Sequence, residues 1–497
     1  MKAVYYLILA ALAVRLVVAA FTGLGLDESY MVASAHSFDA SYYDHPLASW
    51  WLELSARALT GSAAPLVVRL PFVALSGVTS WLIYASTNRL FGQKAGFWAV
   101  AAYSVSPFFS LAAGCWILPD GPLDAALATF LYALIRALGL PDGAPSPKWW
   151  LAVGLFAGLA LLSKYNAALV LAGAAAAVML DPASRPALRK PWPWVAVLLT
   201  LAMFSPVVWW NQAHHWSSFH YQGGRMAGLH LRLYMAPYIW FGESLFVLPW
   251  LWLPMILVLL RGLRAGPAVR ASWLLCWAAL LPVTLFSIVG IWSSTHILFH
   301  WATPGYLMLF PLLGQWAAGI SPILRNRVAI ASAAFLALPV LALSAIVSLP
   351  FMPVFAAGVP SGKSPLLQMV NWTSIVPQLP PGIDAIAAQR WYDGGKVGYA
   401  LAIAGNKTPV TVFAGEVHEF YYTAPPASFI GKTVLVLARP WTKAQTISFC
   451  AKFFSSFTPG PTLRVTLHGT TLLTIPTFIG VDMRAVPVGE FQNSTGP

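Results

Sequence analysis

The sequence predicts an α-helical polytopic membrane protein with about 11 transmembrane helices and a small C-terminal α/β domain outside the membrane. Hydrophobic residues make up 58% of the chain and charged residues only 9%, and the mean hydropathy is +0.69. These values exclude an ordinary soluble globular protein. Apolar runs of about 15 to 23 residues recur up to about residue 350, and a bilayer core requires helices of about this length. Beyond that point the patterns change to those of strands and turns.

The apolar runs define the predicted spans. The fifth and sixth runs are short, which favours a bent pair that does not cross fully. The spans are residues 3–24, 70–87, 97–114, 121–138, 149–163, 166–180, 192–210, 238–260, 271–290, 301–319 and 328–349. The first run lacks a small-residue cleavage site, so we interpret it as a retained helix rather than a signal peptide.

Lysine and arginine concentrate in one set of alternate loops, which predicts that these loops and the N-terminus are cytoplasmic. The stretch after the first span, the loop around Asp120, Lys164 and the C-terminal residues then face the other side. The net charge of +13 does not indicate nucleic-acid binding, because the bases lie one to three at a time between apolar runs. Three scattered cysteines imply no disulfide framework.

Two segments outside the spans have recognisable patterns. Residues 47–68 show helical spacing with Glu53 and Arg57 four residues apart. This pattern indicates either an amphipathic helix on the outer membrane surface or a loop helix packed on the bundle. After a linker rich in proline and glycine, residues 350–497 form the predicted second domain, following a membrane domain of residues 1–349. TPVTVFA, KTVLVLA and LRVTLHGTTLLTI predict strands, and IDAIAAQRWYDGGKVGYALAIA predicts a helix.

Acidic and histidine residues are concentrated in Leu24 to Pro46, directly after the first span. Asp27 and Glu28 are adjacent, so on a helix only one of them faces a given direction. The alternative is a solvated loop whose acids mark the end of a membrane helix. Ionisable groups beside membrane segments are often functional, and a carboxylate there can act as a general base. We therefore predict that Asp27 and Glu28 belong to an active site at the membrane surface, in which one of them faces the reaction and the other helps.

Two further charged residues lie on the same predicted face. Asp120, in the sequence WILPDGP, suits either a helix N-cap or a second carboxylate that binds substrate. Lys164, in LSKYN, suits either a snorkelling lysine or a cation that stabilises a departing phosphate.

Histidines form two other groups. His214 and His215, with Arg225, can donate to phosphate or sugar oxygens, and with Asp44 they suggest a possible divalent metal site. No tight HxxxH or HExxH spacing supports the metal, so no cofactor is required. His296 and His300 are four residues apart at a span entrance, where such a pair either packs or reacts.

Taken in order, the motifs resemble the membrane glycosyltransferases of the GT-C class. Within that class they resemble the bacterial branch related to protein-O-mannosyltransferases, aminoarabinose lipid A transferases and rhizobial galacturonosyltransferases. The resemblance covers residues 1–320, and AQRWYDGGKVGYALA and GKTVLVL extend it loosely into the tail. The motifs are DESYMVASAH, YYDHPLASWW, VVRLPFVALSG, LFGQKAGFWA, ILPDGPL, GLALLSKYNA and HHWSSFHYQGG.

The resemblance implies a polyprenyl-phosphate sugar donor and transfer at the non-cytoplasmic face, usually with inversion at the anomeric carbon. Asp27 matches the first acid of the family's loop-one motif and so inherits the base role. Asp120 matches the acid of the second outer loop, and Lys164 lies near the donor phosphate. His45 stands where the aminoarabinose transferases carry a phosphate-binding lysine. Asp44 with His214 or His215 approximates a metal site of those relatives.

We therefore predict a glycosyltransferase of the bacterial inner membrane, with its C-terminal domain in the periplasm and a glycolipid, glycan or protein acceptor. The alternatives are a lipid-linked sugar transporter or flippase and an inactive lipid-binding relative. Transporters usually carry their polar sites near the midplane and often show repeated halves, whereas here the polar groups lie at one face. The residues predicted to bind the donor are Lys164, Tyr165, His45, Arg225, Tyr43 and His300.

Overall fold

The computed structural model describes residues 1–141, 143–225, 231–293, 297–349, 365–414 and 417–486. The chain is mostly helical and divides into two compact units. The first contains Met1–Val17, Asp39–Ser49 and Pro71–Leu338, and the second contains Val18–Phe38, Trp50–Leu70 and Pro339–Pro497. The predicted linker lies outside the described residues, and the domain boundary between residues 349 and 350 stays a prediction.

Sixteen helices cover the described part of the chain up to residue 349. They are α1 (Lys2–Phe21), α2 (Leu26–Ser34), α3 (Ala48–Thr60), α4 (Pro65–Phe91), α5 (Gln93–Val105), α6 (Phe108–Cys115), α7 (Asp120–Ala137), α8 (Trp149–Ser163), α9 (Ala167–Leu180), α10 (Pro191–Ala213), α11 (Ser217–Gly224), α12 (Met235–Val247), α13 (Pro249–Ala265), α14 (Arg270–Gly290), α15 (Thr303–Gly319) and α16 (Pro322–Ser348).

Six helices of the described residues are long and apolar enough to cross a membrane: α1, α4, α10, α13, α14 and α16. A seventh span is possible if α5 and α6, which meet at 85°, cross together. The polytopic helical class is therefore confirmed, whereas the count of about 11 spans stays a prediction. The helices α8 and α9 are apolar but short, as the sequence predicted.

Two predicted spans are interrupted by proline. The prediction of one span over 238–260 is wrong, because Leu248 has φ +87° and Pro249 starts a new helix. Proline lacks the N–H that a continuing helix needs. The second break, at Pro107, is followed by a π-helical turn. There the buried Arg15 donates from Nε to the Ser110 carbonyl at 3.0 Å.

The helix predicted within residues 47–68 is present as α3, but its ion pair faces inward. Arg57 donates from Nη2 to Glu53 Oε2 at 3.2 Å and to the Ala35 carbonyl at 2.8 Å. Glu53 is fully buried, whereas Trp51 is exposed. Burial raises the pKa of Glu53 to about 7, while Arg57 acts in the opposite direction. The pair therefore packs α3 within the second unit rather than forming its solvated face.

The second unit contains a five-stranded sheet with strand order β2-β1-β3-β7-β4. Strands β1, β2 and β3 are parallel, and β7 runs antiparallel to both β3 and β4. Strands β5 and β6 form a separate antiparallel pair. The strands are β1 (Ala385–Ala388), β2 (Val410–Val412), β3 (Val434–Leu437), β4 (Phe454–Pro459), β5 (Leu463–Leu467), β6 (Thr470–Ile475) and β7 (Thr477–Met483).

The strands predicted from the tail are confirmed at β2, β3, β5 and β6. The helix predicted from IDAIAAQ onward is wrong in its first part, because Ala385–Ala388 form the buried strand β1. A strand buried on both faces lacks polar alternation, so its pattern resembles a buried helix segment. The shorter helices of this unit are α17 (Pro365–Met369), α18 (Trp391–Ile403), α19 (Phe420–Thr423) and α20 (Lys443–Cys450).

Candidate functional site

The first unit contains a buried ion pair between Asp120 and Lys164. Asp120 is the first residue of α7, and Lys164 follows the end of α8 in an extended conformation. The Lys164 ammonium donates to Asp120 Oδ1 at 2.9 Å and to Oδ2 at 3.0 Å. The two residues are 2% and 6% exposed. The snorkelling interpretation of Lys164 is therefore wrong, and Asp120 makes no capping hydrogen bond.

Two half-buried histidines lie within electrostatic range of this pair. The pKa of His45 is lowered to about 3, mainly by burial and also by Lys164, while Asp44 and Asp120 oppose these effects. Burial likewise lowers the pKa of His300 to about 4, with Lys164 adding to the effect and Asp120 opposing it. Both imidazoles are therefore neutral at pH 7. His45 Nδ1 is buried and, among the described residues, has no hydrogen-bond partner.

Arg225 supplies a second cation beside the histidines, since its charge also lowers the pKa of both. Its guanidinium lies 4.3 Å from the ring centroid of Tyr221 and 5.4 Å from that of Trp301. Aromatic faces attract such a cation and fix its plane. Ser293 donates to the Arg225 carbonyl at 2.8 Å, which holds the backbone at this position.

The two tyrosines predicted to bind the donor, Tyr165 and Tyr43, lie in the first unit, and both contact residues of helix α11. The Tyr165 hydroxyl is 2.8 Å from Ser218 Oγ, and burial raises the pKa of this phenol. The Tyr43 ring lies 4.9 Å from the ring of Tyr221. Gln222 donates to the Asp44 carbonyl at 2.5 Å. These contacts hold α11 against the residues around His45. The sequence did not predict this packing.

The predicted metal residues do not form a ligand cluster. No group of three or more His, Cys, Asp or Glu in the described part of the chain has the geometry to hold a metal ion. The His214 ring is stacked on Trp210 at 4.0 Å, and its Nδ1 is 2.8 Å from the Trp210 carbonyl. His215 is exposed. The structure therefore provides no support for the metal site predicted at Asp44, His214 and His215.

The two adjacent acids of the second unit have different environments. Asp27 lies in the first turn of α2 and is exposed. Glu28 is 2% exposed and accepts from Arg69 at 2.7 and 2.6 Å, and from the Gly25 N–H at 2.8 Å. Both oxygens of Glu28 are engaged in holding the start of α2. We therefore revise the prediction that Glu28 is catalytic, whereas the role of Asp27 stays a prediction.

Three buried charged residues, Asp124, Lys396 and Arg69, were not singled out from the sequence. Asp124 follows Asp120 by one helical turn, is 1% exposed, and has a buried Oδ2 without a partner among the described residues. Its i, i+4 spacing from Asp120 was the available signal. Lys396, within YDGGKVG, is fully buried in the second unit. Arg69 was visible as a base in an otherwise apolar stretch. His296 lies outside the described residues.

In chemical terms, these groups of the first unit are of the kinds that bind an anion with several oxygens. Lys164 and Arg225 are cationic side chains, and two neutral imidazoles can each donate a single hydrogen bond. Phosphate binding uses such convergent donors. Because the site is buried, its charges act at a lower effective dielectric than they would in water.

Comparison with known proteins shows similarity to sugar transferases. A family profile described as dolichyl-phosphate-mannose-protein mannosyltransferase matches residues 44–210. The chain is 26% identical over 318 residues to lipid A galacturonosyltransferase RgtD of Rhizobium johnstonii, covering 60% of this chain and 63% of that protein. It is 26% identical over 133 residues to undecaprenyl phosphate-alpha-4-amino-4-deoxy-L-arabinose arabinosyl transferase 1 of Proteus mirabilis, covering 27% of this chain and 24% of that one. Each match spans less than two thirds of the relative.

The fold is similar to that of ArnT from Cupriavidus metallidurans over nearly the whole chain. The apo structure of ArnT aligns with a TM-score of 0.61 and its undecaprenyl phosphate complex with 0.62. Both alignments cover 96% of this chain and 97% of ArnT at 16% identity. An identity this low shows a shared fold and leaves the substrates of this chain to be argued from its own residues.

Proposed function

Since the chain is related to the membrane glycosyltransferases of the GT-C class, we propose that it transfers a sugar from a polyprenyl-phosphate donor to a glycolipid acceptor. The observation that carries this proposal is the buried Asp120–Lys164 pair with His45, His300 and Arg225 around it. This arrangement suits the phosphate of a lipid-linked donor. The names of the curated relatives, two transferases of lipid-linked sugars or lipid A, support the choice of donor and acceptor.

The proposed reaction is a single displacement at the anomeric carbon. The bond between that carbon and the phosphate oxygen breaks as the acceptor oxygen forms its own bond to the carbon, which inverts the configuration. The electron pair and negative charge pass to the polyprenyl phosphate. Lys164 and Arg225 stabilise that charge, and the neutral His45 and His300 donate hydrogen bonds to it.

Asp27 is proposed to accept the proton of the acceptor hydroxyl. It is an exposed carboxylate at the first turn of a helix whose start is firmly held, and a general base must be accessible to the acceptor. A polyprenyl phosphate is a good leaving group, so the site does not need a strong general acid. Positioning and charge stabilisation then supply most of the catalysis.

The proposed location is the bacterial inner membrane, with the N-terminus cytoplasmic and the sheet domain periplasmic. The distribution of lysine and arginine supports this orientation. With about 11 spans, the loops before α7 and after α8 reach the periplasmic face. The donor phosphate would therefore be bound on that side.

The test is a transfer assay with purified protein in lipid nanodiscs. Undecaprenyl-phosphate sugars and lipid A are supplied, and mass spectrometry detects sugar-modified lipid A. We expect wild-type protein and the control Asp482→Asn, an exposed acid of the sheet domain, to form product. Asp27→Asn should lose at least about a hundredfold in rate. Full transfer by Asp27→Asn at normal protein levels would overturn the base assignment.

The same assay, repeated in sealed liposomes so that movement between leaflets can be measured, addresses the proposed function as a whole. A flippase would move the lipid-linked sugar between leaflets without forming a new glycosidic bond. Absence of any sugar-modified acceptor with wild-type protein across the donors, combined with leaflet exchange of the donor, would replace the transferase proposal. Mass spectrometry of envelope glycolipids from a deletion strain then identifies the natural product.

A further inference from the structure

The backbone of Leu24, two residues before helix α2, is hydrogen-bonded through both its N–H and its carbonyl to C-terminal residues of the same unit. Its N–H donates to Asn371 Oδ1 at 3.1 Å. Its carbonyl accepts from the Lys396 ammonium and from Ser29 Oγ, the latter at 3.2 Å. Asp27 follows this peptide by three residues. We call Asn371 and Lys396 together the Leu24 clamp.

Lys396 is unusual because its hydrogen bonds all go to backbone carbonyls. Besides Leu24, it donates to the carbonyls of Gln368 at 2.6 Å and of Val370 at 3.3 Å. The residue is 0% exposed. The nearby carboxylate, Glu28, is already bonded to Arg69. Burying an ammonium group that is not paired with a carboxylate of its own costs free energy, so the presence of Lys396 at this buried position needs an explanation.

The helix carrying Lys396 also packs against α2 without intervening side chains. A Cβ on Gly395 would lie 2.6 Å from Tyr30 Cα, and one on Gly398 would lie 2.7 Å from Ala33 Cβ. Only glycine permits so close an approach of the two backbones. Tyr30 is fixed further, because its hydroxyl accepts from the Glu419 N–H at 2.8 Å. The start and the middle of α2 are therefore both fixed by the C-terminal part of this unit.

We propose that Lys396 and Asn371 are positioning residues that set the location of the Asp27 carboxylate for transfer. Lys396 supplies three donors to carbonyls on two separate segments and so ties Leu24 to residues 368–370. Asp27 itself is exposed, and no hydrogen bond is needed between it and the clamp. The C-terminal domain thus acts on the reaction through α2. This inference rests on the proposed function of Asp27.

Burial lowers the pKa of Lys396 to about 7, with Arg69 adding to this effect and Glu28 opposing it. A neutral amine has two donors rather than three, so deprotonation would leave one of the three carbonyls without its hydrogen bond. The clamp is therefore strongest when Lys396 is charged.

The first experiment measures steady-state transfer by Lys396→Met and Asn371→Ala. We expect each variant to lower kcat by about tenfold or more while the KM for the donor changes less than about twofold, because misplacing a catalytic group affects the chemical step. The control is Lys407→Met, an exposed lysine of the same domain. Unchanged kcat in correctly folded Lys396→Met would overturn the proposal. If that variant is not recovered folded, Lys396→Gln and Asn371→Ala provide the result.

A double-mutant cycle separates positioning from general weakening of the fold. Asp27→Glu displaces the carboxylate by one methylene, and we expect it to retain measurable transfer because the carboxylate is kept. If the clamp acts through Asp27, Lys396→Met should lower kcat by less than about twofold in the Asp27→Glu background. A full additional tenfold loss in that background would show that the clamp acts elsewhere and overturn the proposal.

Amide hydrogen exchange tests the clamp without any activity. Residues 24–34 should exchange faster in Lys396→Met than in Lys407→Met, since local opening of α2 becomes easier. Unchanged exchange there would overturn the clamp even if transfer is confirmed. Conversely, faster exchange in a protein that transfers no sugar would refute the proposed function alone.

Discussion

Each unit of the molecule contains an ion pair whose two side chains are both buried, Glu28–Arg69 in the second unit and Asp120–Lys164 in the first, and these two pairs differ in how completely their atoms are bonded. In the second unit, Arg69 binds both oxygens of Glu28 and also donates to the carbonyls of Ala19, Thr22 and Gly23. In the first unit, Lys164 donates to both oxygens of Asp120. Beside that pair lie His45 and His300, and the charges of Lys164 and Arg225 add to the lowering of both histidine pKa values by burial.

This contrast assigns the Glu28–Arg69 pair to the stability of the fold. It favours the Asp120–Lys164 pair as the one proposed to bind a ligand. The Glu28–Arg69 network satisfies its atoms with other protein atoms, so it fixes residues 19–28 and needs no further partner. Beside the Asp120–Lys164 pair, the buried Nδ1 of His45 has no hydrogen-bond partner among the described residues. Buried polar atoms are normally hydrogen-bonded, so this nitrogen has unused capacity to bond to a ligand.

Breaking the structural pair should have the largest effect. Arg69→Met leaves Glu28 buried without its cation, which costs about 3–5 kcal/mol. We expect little folded protein by size-exclusion chromatography in detergent and a markedly lower Tm. The control is Arg464→Met, an exposed arginine on β5. An Arg69→Met protein with wild-type yield and Tm would contradict the structural role.

Neutralising the pair of the first unit should instead impair transfer. Removing Lys164 alone would leave Asp120 unpaired, so Asp120→Asn and Lys164→Met are combined. The protein should fold, and kcat/KM should fall about a hundred- to a thousandfold, the usual loss when a group that stabilises developing charge is removed. Lys190→Met, at an exposed lysine of the first unit, is the matched control. Transfer within about threefold of wild type would show that both pairs are structural.

Changes at His45 should have a smaller effect and act on the donor. His45→Gln removes the imidazole from a site proposed to bind phosphate, and the donor KM should rise about tenfold, the equivalent of about 1.4 kcal/mol. His45→Lys introduces a cation at this position and should lower the donor KM below the wild-type value. His220→Gln, an exposed histidine on α11, is the control. An increased KM in His45→Lys would argue against phosphate at this position.

The smallest predicted effect is an acid sensitivity that arises in the first unit. Burial holds the pKa of His45 at about 3 and that of His300 at about 4, whereas both histidines titrate near 6.5 when unfolded. Between pH 6.5 and 4 the unfolded chain therefore binds more protons, so stability falls as the pH falls. From pH 7 to 5 each histidine should contribute on the order of 1 kcal/mol.

The measurement is the Tm of detergent-solubilised protein at pH 7 and pH 5. The drop in Tm should be smaller in the double variant His45→Gln with His300→Gln than in wild type. His220→Gln should follow the wild-type curve. If the double variant and wild type lose the same Tm on acidification, the histidines are not held neutral by burial.

Much of the local structure was predictable from the sequence. The predicted span 149–163 coincides with α8, and 271–290 differs from α14 by one residue. The errors arose where the pattern was ambiguous or where proline intervened. Strand β1 lacks alternation because both of its faces are buried, and Pro249 divides a continuous apolar run into α12 and α13.

The sequence by itself determined the class of protein, the bounds of several membrane helices and the set of polar residues that suggest chemistry, because hydropathy and helical spacing are local properties of the chain. Only the tertiary structure decided which charges meet. Lys164 and Asp120 are 44 positions apart, Arg69 and Glu28 are 41 apart, and Lys396 binds a carbonyl 372 positions away. Pairings over such separations depend on how helices pack, and a residue's spacing from its neighbours contains no record of them. The same packing buries Glu28 against Arg69 and leaves Asp27 exposed.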